Sequence, residues 1–439
     1  MQRIRWIGVL AGILLIAVLA GYGYSLDLKD KEASASRTSS EPVITLRMTY
    51  WAGSQLTIDK NTAVIALFEQ AYPHIKIEAE SISGEAYDDR LIVMAATNSL
   101  PDVVRIDYSN MARYAKKNLL LPLDPYIIDQ TIDLEGVHPV YNAGAMVNGK
   151  QYGLNIGNNA LVMFYDKELL EEAKVKPPTS HYSWEQYEND LRAVKNQTGR
   201  YGDTHLTQQH FRVWLRSNGV SLYNEAQDGL GYEDDRLWIE FFTRQLRWQR
   251  EGLLTPLSQE LETRNLEDGP FPRGQTAFGG YSYWSNQIDI LEKELDKQVG
   301  LAPYPGAGGH GMFIKPSFFH SIAKSSKHPY EAALFINFYT NNLDAAKSLN
   351  AYFGVPYNPK VIKGLQETFT DTQRNVLAYL SQVEKDGSLI DPPDPIAGPA
   401  INQLYKSISN EILFERISPE AGAAKFRMEA SAWLEVKSD

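Results

Sequence analysis

Hydrophobic positions along the first hundred residues change period in a regular way. In VITLRMTYW (Val43 to Trp51), Ile44, Leu46 and Met48 alternate with Thr45, Arg47 and Thr49, as in a strand with one buried face. Val64, Leu67, Phe68 and Ala71 then follow helical spacing, and Pro73 stops the segment. HIKIEAESI predicts a second strand, and Tyr87, Leu91, Met94 and Ala95 mark a second helix. PDVVRID, Pro101 to Asp107, reads as a short, nearly continuous apolar strand. Strand, helix, strand, helix, strand is the order of a parallel α/β sheet, in which ligands bind beyond the carboxyl ends of the strands. That rule alone puts Tyr50, Trp51 and Asp107 at the mouth of a cleft.

The same periodicity continues downstream. Trp184, Tyr187, Leu191 and Val194 form the apolar stripe of a helix that Ser183 can cap. Another helix is expected from about Glu233 to Glu251, with Gly252 as its stop. Phe318 to Ala323 is strand-like, and Ala332, Phe335, Ile336 and Tyr339 give one more amphipathic helix. No internal repeat is visible.

The N-terminus breaks this pattern. Arg3 and Arg5 precede an uncharged run from Trp6 to Leu26. Spanning a bilayer takes roughly 20 apolar residues, whereas a cleaved signal needs about 7–15, so a retained signal-anchor and a cleaved signal at residues 1–26 both stay open. Either fate sends the rest of the chain outside the cytoplasm, to the outer face of the cytoplasmic membrane or into the medium. Tyr22 in the Leu19 to Tyr22 stretch LAGY stands where a lipoprotein would carry its lipid-bearing cysteine. Residues 27–42, polar and rich in Ser, read as a tether.

Composition narrows the chemistry. A chain of 439 residues is too long for one small core. Its net charge of −11 is the wrong sign for tracking nucleic-acid phosphates. Zero cysteines exclude disulfides, thiolate zinc sites and a Cys nucleophile. The glycine pattern at Gly144 to Lys150 lacks the Ser or Thr of a P-loop, and the one at Gly306 to Gly311 is preceded by prolines instead of a strand. His205 and His210 are the closest of 8 histidines, five apart, which is poor metal spacing; neither a metal nor a cofactor is expected. No GxSxG or HExxH occurs. The aromatics are more informative: 25 Tyr, 16 Phe and 8 Trp include the clusters Tyr50-Trp51, Tyr281 to Trp284, Phe318-Phe319 and Tyr352-Phe353. Flat rings of this kind stack on the apolar faces of sugars, although most are expected to fill the core.

These segments, in order from Val43 onward, resemble the extracellular solute-binding proteins of ABC importers, particularly the carbohydrate-binding group related to maltose-binding protein. The resemblance is carried by YWAG, LPDVVRID, NGKQYGLN followed by ALVMFYDKELLEEA and SWEQY, then FPRGQTAFGGYSYW, VGLAPYPG, SSKHPYEAALFINFYTN and YFGVPYNP. It implies an α/β, two-lobed, periplasmic-binding-protein-like (type II) fold with hinge crossings, preceded by the N-terminal hydrophobic helix. The crossings are expected near Asn148 to Asn155, Ala307 to Phe318 and Gly354 to Pro359, dividing the chain into a first lobe, 43–150 with 314–356, and a second, 151–313 with 357–439. The ligand candidates it implies are Trp51, Glu85, Asp107, Asn155, Tyr281, Trp284, Phe318 and Phe353. Asn155 departs from the family, which has Pro there. The implied role is that of a monomeric, non-enzymatic receptor. It captures a carbohydrate, an oligosaccharide by preference, and delivers it to ABC permease subunits, held at the membrane by the N-terminal helix if that helix is uncut. An extracellular polysaccharide hydrolase or lyase, and a receptor for a non-sugar solute, are the alternatives.

Overall fold

The computed structural model describes residues 42–263, 266–282, 287–306 and 310–435, the side chains of 84–85, 280–282 and 289–290 excepted. The N-terminal apolar run and tether lie outside these residues, as does Trp284. Among the described residues no helix is long and apolar enough to cross a membrane.

The alternating segments fold as their periodicity predicts. Strands β1 (Ile44–Trp51), β2 (Ile75–Ile82) and β3 (Val103–Ile106) are parallel neighbours. They are linked by helices α1 (Gln55–Ala71) and α2 (Gly84–Ala96). Strand β4 (Leu154–Asn155) and the late strand β10 (Phe319–Ile322) complete a five-stranded sheet in the order β2-β1-β3-β10-β4, with β10 antiparallel to both its neighbours. A second sheet of three strands is built by β6 (Val162–Asp166) between β7 (Phe278–Ser282) and β8 (Val299–Ala302). Between the sheets, β5 (Asn158–Ala160) pairs antiparallel with β9 (Ile314–Pro316).

Each sheet has its own apolar core. The first lobe's core draws on residues from Leu46 to Ile156 and from Phe319 to Phe353, including helix α7 (Pro329–Asn341). The second draws on Ala160 to Ile314 and Val355 to Leu434. Leu154 and Ile156 are apolar enough to stay buried in the first lobe, so the chain leaves only at Gly157.

The second core is where most aromatics reside. Helix α4 (Trp184–Thr198) starts with a capping box between Ser183 and Gln186 and ends at Gly199, whose left-handed φ of 72° glycine adopts without steric cost. Its Trp184 and Tyr187 pack on Trp214 of helix α5 (Gln208–Ser217) and Trp248 of helix α6 (Arg236–Arg250). The tyrosine hydroxyl of Tyr187 donates to the fully buried carboxyl of Asp203. Burial, ahead of every other influence, pushes the Asp203 carboxyl up to about 8. Because the folded state then holds a proton that the unfolded chain releases near pH 4, this group stabilises at acid pH, and its contribution is lost as pH rises through about 8. Denaturant melts between pH 4 and 8 should fall in midpoint as pH rises, and Asp203→Asn should flatten that slope. An unchanged slope in Asp203→Asn would assign it to another group.

Candidate functional site

The register of the first sheet aligns four of the eight predicted residues. Trp51 at the end of β1 pairs with Ile82 of β2, and Ile106 of β3 pairs with Phe319 of β10, which in turn faces Asn155 of β4. Since Thr49 lies level with Val104, Trp51 lies level with Ile106. Trp51, Asp107, Asn155 and Phe318 thus share one edge of the sheet, where parallel strands point their carboxyl ends. Alternating strand direction explains how residues so far apart in sequence meet: β10 runs backwards, so its start coincides with the ends of β1, β3 and β4.

At this edge the rings of Trp51 and Phe318 stack, centroids 5.8 Å apart and 25° from parallel. Both are half-buried. Gly53 leaves room for the indole: a Cβ there would lie 2.6 Å from the Trp51 ring. Asp107, also half-buried, caps helix α3 (Tyr108–Lys116), its Oδ1 accepting from the Ser109 amide at 2.9 Å and the Ser109 hydroxyl at 2.6 Å. Tyr108, which the sequence reading passed over, stands at the same corner and donates a hydrogen bond to the backbone carbonyl of Asp391 in the second lobe. Its signal was available, an aromatic two residues past a buried strand, next to the candidate Asp107.

Asn155 is placed differently. It is fully buried, and its side-chain amide donates to the Tyr141 carbonyl at 3.0 Å and to Asn158 Oδ1 at 2.5 Å, while its Oδ1 accepts from the Gly157 amide at 3.1 Å. It braces the turn into the crossing. Next to it two chain segments run unusually close: a Cβ on Gly157 would sit 2.6 Å from the Phe353 carbonyl oxygen, and one on Gly354, at φ +117°, 2.6 Å from that of Asn158. Asn158 and Val355 exchange backbone hydrogen bonds at 2.9 and 3.0 Å. With β9 paired to β5 on the other side, three segments run next to one another between the two cores.

Phe353 points into the first core, its ring 4.6 Å from the guanidinium carbon of Arg105. Arg105, a charged residue inside the apolar run of β3, is wholly buried, and no carboxylate among the described residues pairs with it. It donates to Asn61 at 2.7 Å, to Tyr339 at 3.1 Å and to Nε2 of His320 at 3.2 Å. Burial first, and the adjacent guanidinium second, hold His320 well below its ordinary pKa, so it stays neutral and accepts. Arg105→Ala should cost about 3 kcal/mol, because Asn61, Tyr339 and His320 lose their partner where water cannot replace it. Urea unfolding measures this, and a loss under about 1 kcal/mol would mean water fills the site.

The side chains of Glu85 and Tyr281, and all of Trp284, lie outside the described residues. Behind the crossings, Tyr141, Asn158, Tyr357 and Glu384 line a cavity of about 150 Å³, smaller than the roughly 300–1,000 Å³ of small-molecule sites. It is too small for a sugar chain. Among the described residues no cluster of His, Asp and Glu could hold a metal ion; His205 sits instead between Glu260 and Gln249, each 2.9 Å away.

Two sheet-centred lobes, three adjacent crossings and an aromatic strand edge between them correspond to a known family. The model of the bacterial extracellular solute-binding proteins matches residues 54–345. The chain belongs to this family. An extracellular solute-binding protein of family 1 from Alicyclobacillus acidocaldarius superposes with a TM-score of 0.81 at 26% identity, over 90% of this chain and 100% of that one. An ABC substrate-binding protein from Listeria monocytogenes, solved in complex with cycloalternan, shares the fold at TM-score 0.69 and 20% identity, over 90% and 100% of the two chains. The arabinooligosaccharide-binding protein of Bacillus subtilis is 25% identical over 194 residues, 43% of this chain and 41% of that protein. The matched region thus spans about two fifths of that relative. Fold and family are those of solute-binding proteins.

Proposed function

We propose that this solute-binding protein captures an oligosaccharide outside the cytoplasmic membrane and delivers it to ABC permease subunits. The stacked Trp51 and Phe318 at the open edge of the first sheet carry the reading, since such faces match the C–H surface of sugar rings. Similarity to a protein named for arabinooligosaccharides points the same way. Asp107 accepts from ring hydroxyls, and the family resemblance adds Tyr281 and Trp284 to the ligand candidates. Asn155 and Phe353 act indirectly, holding the crossing and the first core. Ligand selects the closed arrangement because only there do both lobes touch it. The N-terminal apolar run keeps the receptor near its permease while uncut, raising its effective concentration there. A thermal-shift screen over mono- and oligosaccharides tests the proposal: a ligand that binds only native protein raises the melting temperature. A panel of neutral and acidic sugars that leaves it unmoved would rule the proposal out.

A further inference from the structure

A segment without regular structure, Ser388 to Ala397, joins helix α8 (Asp371–Asp386) to helix α9 (Gly398–Leu413) and lies against the second lobe beside the cleft. Three prolines, Pro392, Pro393 and Pro395, fix much of its backbone in advance. Two arginines one turn apart on α5 fasten it. Arg216 pairs with the Asp391 carboxylate and also donates to Ser388 Oγ at 2.6 Å, the Leu389 carbonyl at 2.7 Å and the Gly311 carbonyl at 3.0 Å. Arg212 grips Asp394 with both its terminal nitrogens, at 2.9 and 2.7 Å. Ser221 and Gln227 add bonds to Asp391 and to the Pro393 carbonyl. From this mount the strap reaches the first lobe, where Tyr108 donates to the Asp391 carbonyl, one residue beyond Asp107 at the aromatic edge.

We propose that this strap is a specificity element of the cleft, which makes it select uncharged sugars, and that Tyr108 is the clasp holding it against the first lobe in the closed state. The proposal rests on the carbohydrate reading. Its reasoning is electrostatic. Without the strap, Arg212 and Arg216 would present two planar forks beside the groove, the arrangement that grips a uronate carboxylate. Asp394 fills the Arg212 fork, and Asp391 with the Ser388, Leu389 and Gly311 oxygens takes up the Arg216 nitrogens, so an acidic sugar gains no cation and meets two carboxylates. The clasp joins the lobes at the cleft itself, so it forms only as they approach and slows ligand escape.

Isothermal titration of the full chain separates the possibilities, using neutral arabino-, xylo- and malto-oligosaccharides and di- and trigalacturonate as probes. The wild type should bind a neutral sugar and no uronate. Tyr108→Phe should weaken that binding about fivefold, the worth of one neutral hydrogen bond. Asp391→Asn with Asp394→Asn should raise affinity for digalacturonate at least about tenfold. Asp394→Asn alone, which frees only the more accessible arginine, should show part of that gain if the double variant does not fold. Uronates binding the wild type as tightly as neutral sugars would overturn the inference, as would variants that titrate like the wild type. If a neutral sugar binds but the variants change nothing, the inference falls and the carbohydrate reading stands. If no sugar binds the wild type, both fall.

Discussion

Trp51→Ala should weaken oligosaccharide binding by about 2 kcal/mol, a rise in Kd of roughly 30-fold, while the unliganded protein melts almost as the wild type does. The separation follows from where the indole sits. The indole is only partly buried, at the rim of the first lobe's core, so truncation costs less stability than the loss of a core ring, yet it takes away the larger of two stacked faces. Phe318 then loses its neighbour and presents a smaller, less fixed surface. Trp51→Phe should keep most of the affinity because a flat ring remains. Calorimetric titration with the sugar found by thermal shift measures both, and equal affinity in wild type and Trp51→Ala would move the binding surface elsewhere. Gly53→Ala is a subtler version, since its methyl would push the indole out of its seat.

Trp238→Ala should destabilise the second lobe by about 4 kcal/mol, lowering its melting temperature by roughly 10 °C. This indole is fully buried where four helices meet. Phe211 of α5, Phe242 of its own helix, Tyr405 of α9 and Phe426 of helix α10 (Pro419–Glu435) lie with ring centroids 4.6–5.3 Å from it. Rigid neighbours on every side cannot collapse into the space vacated, so the cavity term adds to the lost transfer energy. Calorimetric melting measures it. A shift under about 3 °C would show that these helices repack. Comparison with Trp51→Ala tests the division of labour among the tryptophans, one serving a ligand and the other a core.

How much of this was legible beforehand depended on distance along the chain. The opening strands and helices, the Ser183 cap and the helix ending before Gly252 follow from period and local chemistry, and they stand within a few residues of where the pattern puts them. Trp51 and Asp107 could be placed at strand ends for the same reason. Asn155 and Phe353 could not be told apart from them, since a strand end and an aromatic look the same in sequence whether they stay partly exposed or, as these two do, become buried. Arg105 offered no hint of burial. Its rings and hydrogen-bonding partners come from residues 50, 61, 320, 339 and 353.

By itself, then, the sequence determined the local alternation of strands and helices, the lack of cysteine thiols and a net negative charge, because each of these depends on neighbouring residues or on totals. Only the tertiary structure decided that β10 returns antiparallel into the first sheet, bringing Phe318 onto Trp51 and Asn155 into line with them. It alone set the strap against Tyr108. Those contacts join residues more than 100 positions apart, and no short-range pattern records them: they arise when two separately packed cores fix the directions of the strands that cross between them.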